Sequence, residues 1–305
     1  MDASARRALV VIGVPIDSLG TPGGTEGAPA ALRDAGVVAA LGARDAGDLP
    51  VRIAGTDRDP GSGIVGYPSV VRTCEGVRDG VAPLLRSGRF PVVLGGCCSL
   101  VPGIAAALRQ ADPRPPGLAY VDGHMDLYDG RTSPTGEAAD MPVAIVAGRG
   151  DGALGSLGES PPLVPPPGIA LLAHRDGDEA RGLGSVMPDA VGIGLDCDCA
   201  AVRRLVPARV GAETADRLAD ACGRFWLSID VDVLSDAAFP ATPVRQPDGL
   251  DLDELVALCR PLAQHPACAG VDLLCYDPDM DDERRTGAHA AVDLLRRVLA
   301  ESARR

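Results

Sequence analysis

Two short clusters hold the residues most able to do chemistry: Asp122-Gly-His124-Met-Asp126 and Asp230-Val-Asp232. A spacing of two puts alternate residues on one side of an extended chain, so each cluster can aim its side chains at one point. Five oxygen or imidazole ligands are more than one ion usually takes from a protein. Two ions sharing bridging carboxylates would use them all. Four carboxylates and one imidazole suit Mn²⁺ or a similar borderline-hard ion better than Zn²⁺. Such a pair can hold a bridging water as hydroxide near neutral pH and polarise an electrophile beside it. Either cluster alone reads more readily as caps, turns or a solvated loop. Both together, each straight after an apolar run, would crowd like charges, and cations are the natural resolution.

The elements that must position these clusters are legible around them. Short apolar runs at 8–14, 90–94, 118–121, 169–172, 225–229 and 270–274 read as buried parallel strands. Helical patterns lie between them at 71–85, 101–109, 212–222, 252–263 and 288–303, and a Gly/Pro-rich loop at 17–29 leads into a further helix from Ala30. Alternating strand and helix predicts an α/β chain, three layers with a mainly parallel central sheet and a single domain over 1–305. Chemistry in such sheets sits beyond the carboxyl ends of the strands, where both clusters fall. Pro113–Pro116 and Pro161–Pro167 read as surface loops, the second as a stiff connector with weak polyproline II character.

The composition excludes several functions. A net charge of −13 repels a nucleic-acid backbone. No apolar run reaches the ~18–20 residues that span a bilayer. The sequence contains no Lys, which removes Schiff-base and P-loop chemistry. Nine Cys, an odd number, with no leader-like pattern in Met1–Arg7 predict reduced thiols and a cytoplasmic location.

Beyond these readings, the chain resembles the ureohydrolase (arginase/agmatinase) family over almost its whole length. Asp122-x-His124-x-Asp126 is similar to the family's DxHxD, and Ser228-Ile-Asp230-Val-Asp232 to its SxDxD. Gly95-Gly96-Cys97-Cys98-Ser99 resembles its GGDHS. Gly23-Gly24-Thr-Glu26-Gly27-Ala-Pro29-Ala-Ala-Leu32-Arg33 resembles its N-terminal loop and helix. Arg175-Asp176-Gly-Asp178-Glu179 and the Pro240–Leu250 segment match in order. The resemblance implies an αβα fold, a homo-oligomer (trimer or hexamer), two Mn²⁺ per subunit and hydrolysis of a guanidino or amidino C–N bond in a small molecule. Carried over, Asp122 and Asp230 would bridge the ions. Asp126 and Cys98 would complete one site, and His124 and Asp232 the other. Arg175 and Asp178 would line the substrate pocket.

Three departures matter. Cys98 replaces a ligand His, as in hydroxyarginine hydrolase-like members; it is either a thiolate ligand or a buried spectator. Ala139 stands where a proton-shuttling His is expected, which leaves Glu137 and Asp140 as substitutes or as loop caps. These two, with Asp126, are the catalytic candidates. Cys275 stands where a Glu would pair with guanidinium, a role a neutral thiol cannot fill, and Asp277, two residues on, is the candidate to compensate. His174, His265 and His289 read as surface or structural. The sequence thus points to a binuclear hydrolase working through a metal-bridging hydroxide on a modified guanidine. A metal-retaining non-catalytic relative and an amide hydrolase on the same fold are the alternatives.

Overall fold

The computed structural model describes residues 8–21 and 24–300, so the expectations for Met1–Arg7, Gly23 and 301–303 lie outside the described residues. Eight strands form one sheet: β1 (Leu9–Val14), β2 (Arg44–Asp48), β3 (Phe90–Gly95), β4 (Gly117–Val121), β5 (Ile169–Leu172), β6 (Leu195–Cys197), β7 (Phe225–Asp230) and β8 (Cys268–Leu274). Their order is β2-β1-β3-β8-β7-β4-β5-β6, and every pairing is parallel. The main helices are α1 (Ala28–Asp34), α2 (Tyr67–Arg86), α3 (Val101–Ala111), α4 (Pro207–Cys222), α5 (Leu252–Gln264) and α6 (Thr286–Leu299).

The pleat sorts each strand's side chains onto two cores. Ala119 and Val121 of β4, with Phe225, Leu227 and Ile229 of β7, face one core together with α1, α4, α5 and α6. Leu118, Tyr120 and Trp226 face the other, against α2 and α3. Both faces are therefore covered, which is why the strands read as continuous apolar runs. The fold is the expected three-layer αβα arrangement with a parallel sheet.

All six expected strands are present. β2 and β6 were not legible, because both are sheet edges with little to bury. β2 (RDAGD) is exposed along its whole length, and β6 is three residues long. Within the described residues the last helix ends at Leu299, and the first begins at Ala28. The segment 161–167 is not wholly a surface loop: Leu163 and Val164 are buried, and the Val164 N–H donates to Val146 O at 2.9 Å. None of the nine cysteines is in a disulfide.

One polar device holds the centre of the sheet. Asp272 of β8 is fully buried, and its carboxylate accepts from Trp226 Nε1 (2.7 Å), Ser228 Oγ (2.7 Å) and Ile229 N (3.3 Å) of β7. Burial raises this carboxyl to about 7, against the pull of these bonds. Asp272→Ala would orphan the indole and hydroxyl donors, at about 1–3 kcal/mol for each unsatisfied group. The denaturation midpoint should fall accordingly at constant m-value; an unchanged midpoint would show that β7 does not need this anchor.

Candidate metal centre

Strand order brings the polar clusters together. β3, β8, β7 and β4 are consecutive neighbours, and all four end at the same edge. Val121 lies opposite Ile229 in the β4–β7 register, so Asp122 and Asp230 follow side by side. On the other flank of β7, Asp230 pairs with Leu274, which brings Cys275 in next to it. Cys275 N donates to Gly96 O at 2.7 Å, which ties the end of β8 to the loop that carries Cys97 and Cys98. Gly96 permits this packing, since a Cβ there would lie 1.7 Å from Ile16 O.

The expected extended geometry does not continue past the strand ends. The chain turns at once: Val231–Val233 is a single 3₁₀ turn, and 123–126 is not strand. Convergence arises from side chain-to-backbone turns instead. Asp122 Oδ1 accepts from His124 N (2.7 Å), and Asp230 Oδ1 accepts from Asp232 N (3.0 Å). This i to i+2 bond folds each segment back on itself, so the paired residues face one place. The two segments are then cross-linked by Gly123 N donating to Asp232 Oδ1 at 3.0 Å.

Two groups of prospective ligands result. Asp122, His124 and Asp232 form one, and Cys98, Asp230 and Cys275 the other; in each, the ligand atoms lie within 4.8 Å of one another. His124 Nδ1 is 3.1 Å from Asp232 and 3.4 Å from Asp122. Its Nε2 is 3.1 Å from the side-chain nitrogen of Gln246. If Nδ1 is to ligate, Nε2 must carry the proton and Gln246 must present its amide oxygen, the orientation that an outer hydrogen bond usually fixes.

Asp122 and Asp230 each keep Oδ2 buried with no hydrogen-bond partner. A buried carboxylate oxygen left unpaired is costly, and two such groups side by side are more so. Burial, then the charge of Asp232, raises Asp122 to about 7. Burial followed by Asp232 and Asp122 holds Asp230 well above the carboxylate range. Burial and Asp122 do the same to Asp126. Burial alone would lower His124, but Asp232 and Asp122 raise it well above the usual imidazole value. Orphaned inner oxygens and a donor set rich in carboxylate fit a pair of divalent cations.

The remaining candidates are spread around this centre. Asp126, at φ +50°, turns back so that its Oδ2 accepts from Tyr120 OH at 2.5 Å, and it belongs to neither ligand group. Glu137 is part-buried and accepts from Ser18 Oγ; burial raises its pKa. One carboxylate oxygen of Asp140 accepts from Ser133 Oγ (2.5 Å) and Thr135 Oγ1 (2.7 Å), as a loop cap would. Asp277 is buried, and a Cβ on Gly24 would lie 3.1 Å from its Oδ2 and 3.4 Å from that of Asp17. Arg175 directs its guanidinium at main-chain oxygens of Asp232, Val233, Leu234, Gln246 and Pro247, clamping the β7 turn rather than an open pocket. Asp178 is exposed and pairs with Arg181 at 2.9 Å, outside the centre. Asp176 is the buried carboxylate of that segment, and it accepts from Met125 N at 3.1 Å. Of the other histidines, His174 is buried against Asp196 at 2.6 Å, and His289 is exposed. Sequence reasoning missed Tyr120, Asp176, Gln246 and Asp272.

The sequence model of the arginase family matches residues 7–300. The chain belongs to the arginase family. It is 30% identical to the arginase of Bacillus caldovelox over 301 residues, covering 96% of this chain and 98% of that one. It is 28% identical to the arginase of Brevibacillus brevis, with 96% and 98% covered. The solved structure of the B. caldovelox arginase superposes with a TM-score of 0.86 at 28% identity, over 97% and 99% of the two chains.

Two tests follow from this arrangement. In the ion-free family member, a folded-state carboxyl raised from 3.8 to about 7 binds more protons than the unfolded chain across that window. Stability therefore falls as pH rises through it. The melting temperature of chelator-treated protein should drop between about pH 5 and 7, and the gain on adding Mn²⁺ should widen over the same range. A gain independent of pH would contradict this protonation. Gln246→Ala should weaken ion binding at the His124 group by roughly 10–100-fold in a metal titration; unchanged affinity would mean that Gln246 does not orient the ring.

Proposed function

We propose that this chain is a binuclear metal-dependent hydrolase of a guanidino- or amidino-type C–N bond, acting on a small molecule as a homo-oligomer, trimeric or hexameric. The observation that carries the reading is the pair of orphaned inner oxygens on Asp122 and Asp230, flanked by two three-ligand groups. Membership in the arginase family supports the reaction class. Asp122 and Asp230 would be shared, with His124 and Asp232 on one side and Cys98, with Asp126 alongside, on the other. Mn²⁺ is the expected ion for the group containing His124. When bound, such ions supply an activated water and polarise the carbon it attacks.

The protein's own groups do the rest. The Asp122 and Asp230 turns hold the ligands without extended strand. Tyr120 fixes Asp126. Glu137 is the carboxyl best suited to move a proton, because burial holds it above the ordinary value. Asp140 is engaged by two hydroxyls and is the weaker candidate. Asp17 lies near both Glu137 and Asp277: burial, then Asp140 and Asp17, raise Glu137, and burial, then Asp279 and Asp17, raise Asp277, a concentration of negative charge suited to a cationic or polar substrate end.

Substrate choice follows from what is absent. Cys275 cannot pair with guanidinium, and losing a charge-assisted bond costs about 1.5–3 kcal/mol. Ala139 cannot shuttle a proton, and losing an acid–base group costs a further ~10²–10⁴-fold. A less basic guanidine, such as an N-hydroxylated one, depends less on both. With both ions loaded, the protein should hydrolyse an N-hydroxyguanidine detectably and release little urea from arginine or agmatine. Asp230→Ala should remove most bound metal and all turnover. Urea release from arginine at an ordinary enzyme's rate would contradict the substrate reading. Full metal content in Asp230→Ala would contradict the shared-ligand reading.

A further inference from the structure

Two residues that depart from the family pattern lie against each other. Cys98 follows β3, and Cys275 follows β8. Their sulfurs and a carboxylate oxygen of Asp230 form one cluster within 4.8 Å, with all three residues buried. Cys275 is held at φ +61°, a left-handed conformation that side chains other than glycine's adopt only at a cost. Its backbone bond to Gly96 O locks it there and keeps its side chain beside Cys98. Cys98 Sγ donates to Ala139 O at 3.1 Å, and nothing joins the two sulfurs covalently. Cys97, the adjacent thiol, is buried but lies outside the cluster.

We propose that Cys98, Cys275 and Asp230 form a dithiolate subsite that selects a thiophilic divalent ion, Zn²⁺ or Co²⁺, over Mn²⁺, so that the centre binds two different metals. The inference rests on the two-ion reading above and adds Cys275 as a ligand. Two soft sulfurs with one carboxylate favour Zn²⁺-type ions and tetrahedral geometry, whereas the Asp122–His124–Asp232 group offers only oxygen and imidazole. With Asp122 shared as above, Cys98, Cys275, Asp230 and Asp122 would supply the four ligands of a tetrahedral site. On binding, each thiol loses one proton to solvent, including the one that Cys98 now gives to Ala139, and each sulfur forms one bond to the ion. No electron is transferred. Cys275 then faces the metal and takes no part in holding a guanidinium, consistent with its chemistry.

The test uses the whole protein with Zn²⁺, Co²⁺ and Mn²⁺ as probes. Titration with Co²⁺ should develop intense thiolate-to-cobalt charge-transfer absorption. Cys98→Ser and Cys275→Ser should each weaken that absorption and lower Zn²⁺ affinity by about 100-fold or more, beyond the roughly 10–100-fold typical of outer partners. Cys97→Ser should change neither. Should the serine variants fail to fold, Zn K-edge absorption of the unsubstituted protein reads the same ligands, with two sulfur neighbours expected at about 2.3 Å. One sulfur neighbour, or a Cys275→Ser protein with unaltered cobalt absorption, would overturn the role of Cys275 and leave the two-ion reading standing. Ions bound with only nitrogen and oxygen neighbours would overturn thiolate ligation altogether. Absence of any stoichiometric divalent ion would overturn both.

Discussion

Two carboxylates, Asp122 and Asp230, sit in adjacent register at the ends of neighbouring strands, buried, each with one oxygen unpartnered. Water would satisfy such groups, but here they are almost wholly inaccessible. Protons or cations must therefore offset their repulsion. Much of the surrounding architecture serves to hold that pair. The β4–β7 register sets them together. The i to i+2 turns orient them, and Asp272 pins β7 to β8 beneath them through Trp226 and Ser228. Arg175 clamps the turn that carries Asp232. These are several independent restraints on one costly feature, the pattern expected where strain serves a site.

The two flanks of this pair differ in chemistry. Toward β5, the partners are imidazole and carboxylate, backed by Gln246 and Asp176. Toward β3 and β8, the partners are sulfur. The substitutions at 98 and 275 are coupled in space although far apart in sequence, because β3 and β8 are neighbours in the sheet. A soft ligand at one position is complemented by a soft ligand at the other, and the centre becomes asymmetric. On the proposed reading, the same exchange removes the group that would pair with a guanidinium, so ion preference and substrate preference would change together.

Much of this was legible in the sequence. Buried parallel strands bury both faces, so six of them stood out as apolar runs; the exposed β2 and three-residue β6 had no such signal. The spacings at 122–126 and 230–232 correctly marked strand ends, but the reason is local turn bonding rather than pleat. The proposed ligands stood out because acidic residues directly after apolar runs are unusual. Gln246 and Asp272 were not, because each matters through a partner distant in sequence, 122 residues for Gln246 and 46 between Asp272 and Trp226; Tyr120 was hidden because it sits inside an apolar strand run. The pairing of Cys98 with Cys275 depends on strand order, which motif spacing does not encode. Arg175 and Asp178 show the converse. Their motif placed them near a pocket, but the guanidinium is directed at main-chain oxygens and Asp178 is exposed.

The central claim, two cations sharing Asp122 and Asp230, is tested most directly by anomalous diffraction from crystals grown with Mn²⁺ and Zn²⁺, recorded at each metal's absorption edge. Two peaks about 3.5–4 Å apart, both in contact with Asp122 and Asp230, are the predicted result. A single peak, or peaks away from these two carboxylates, would contradict it.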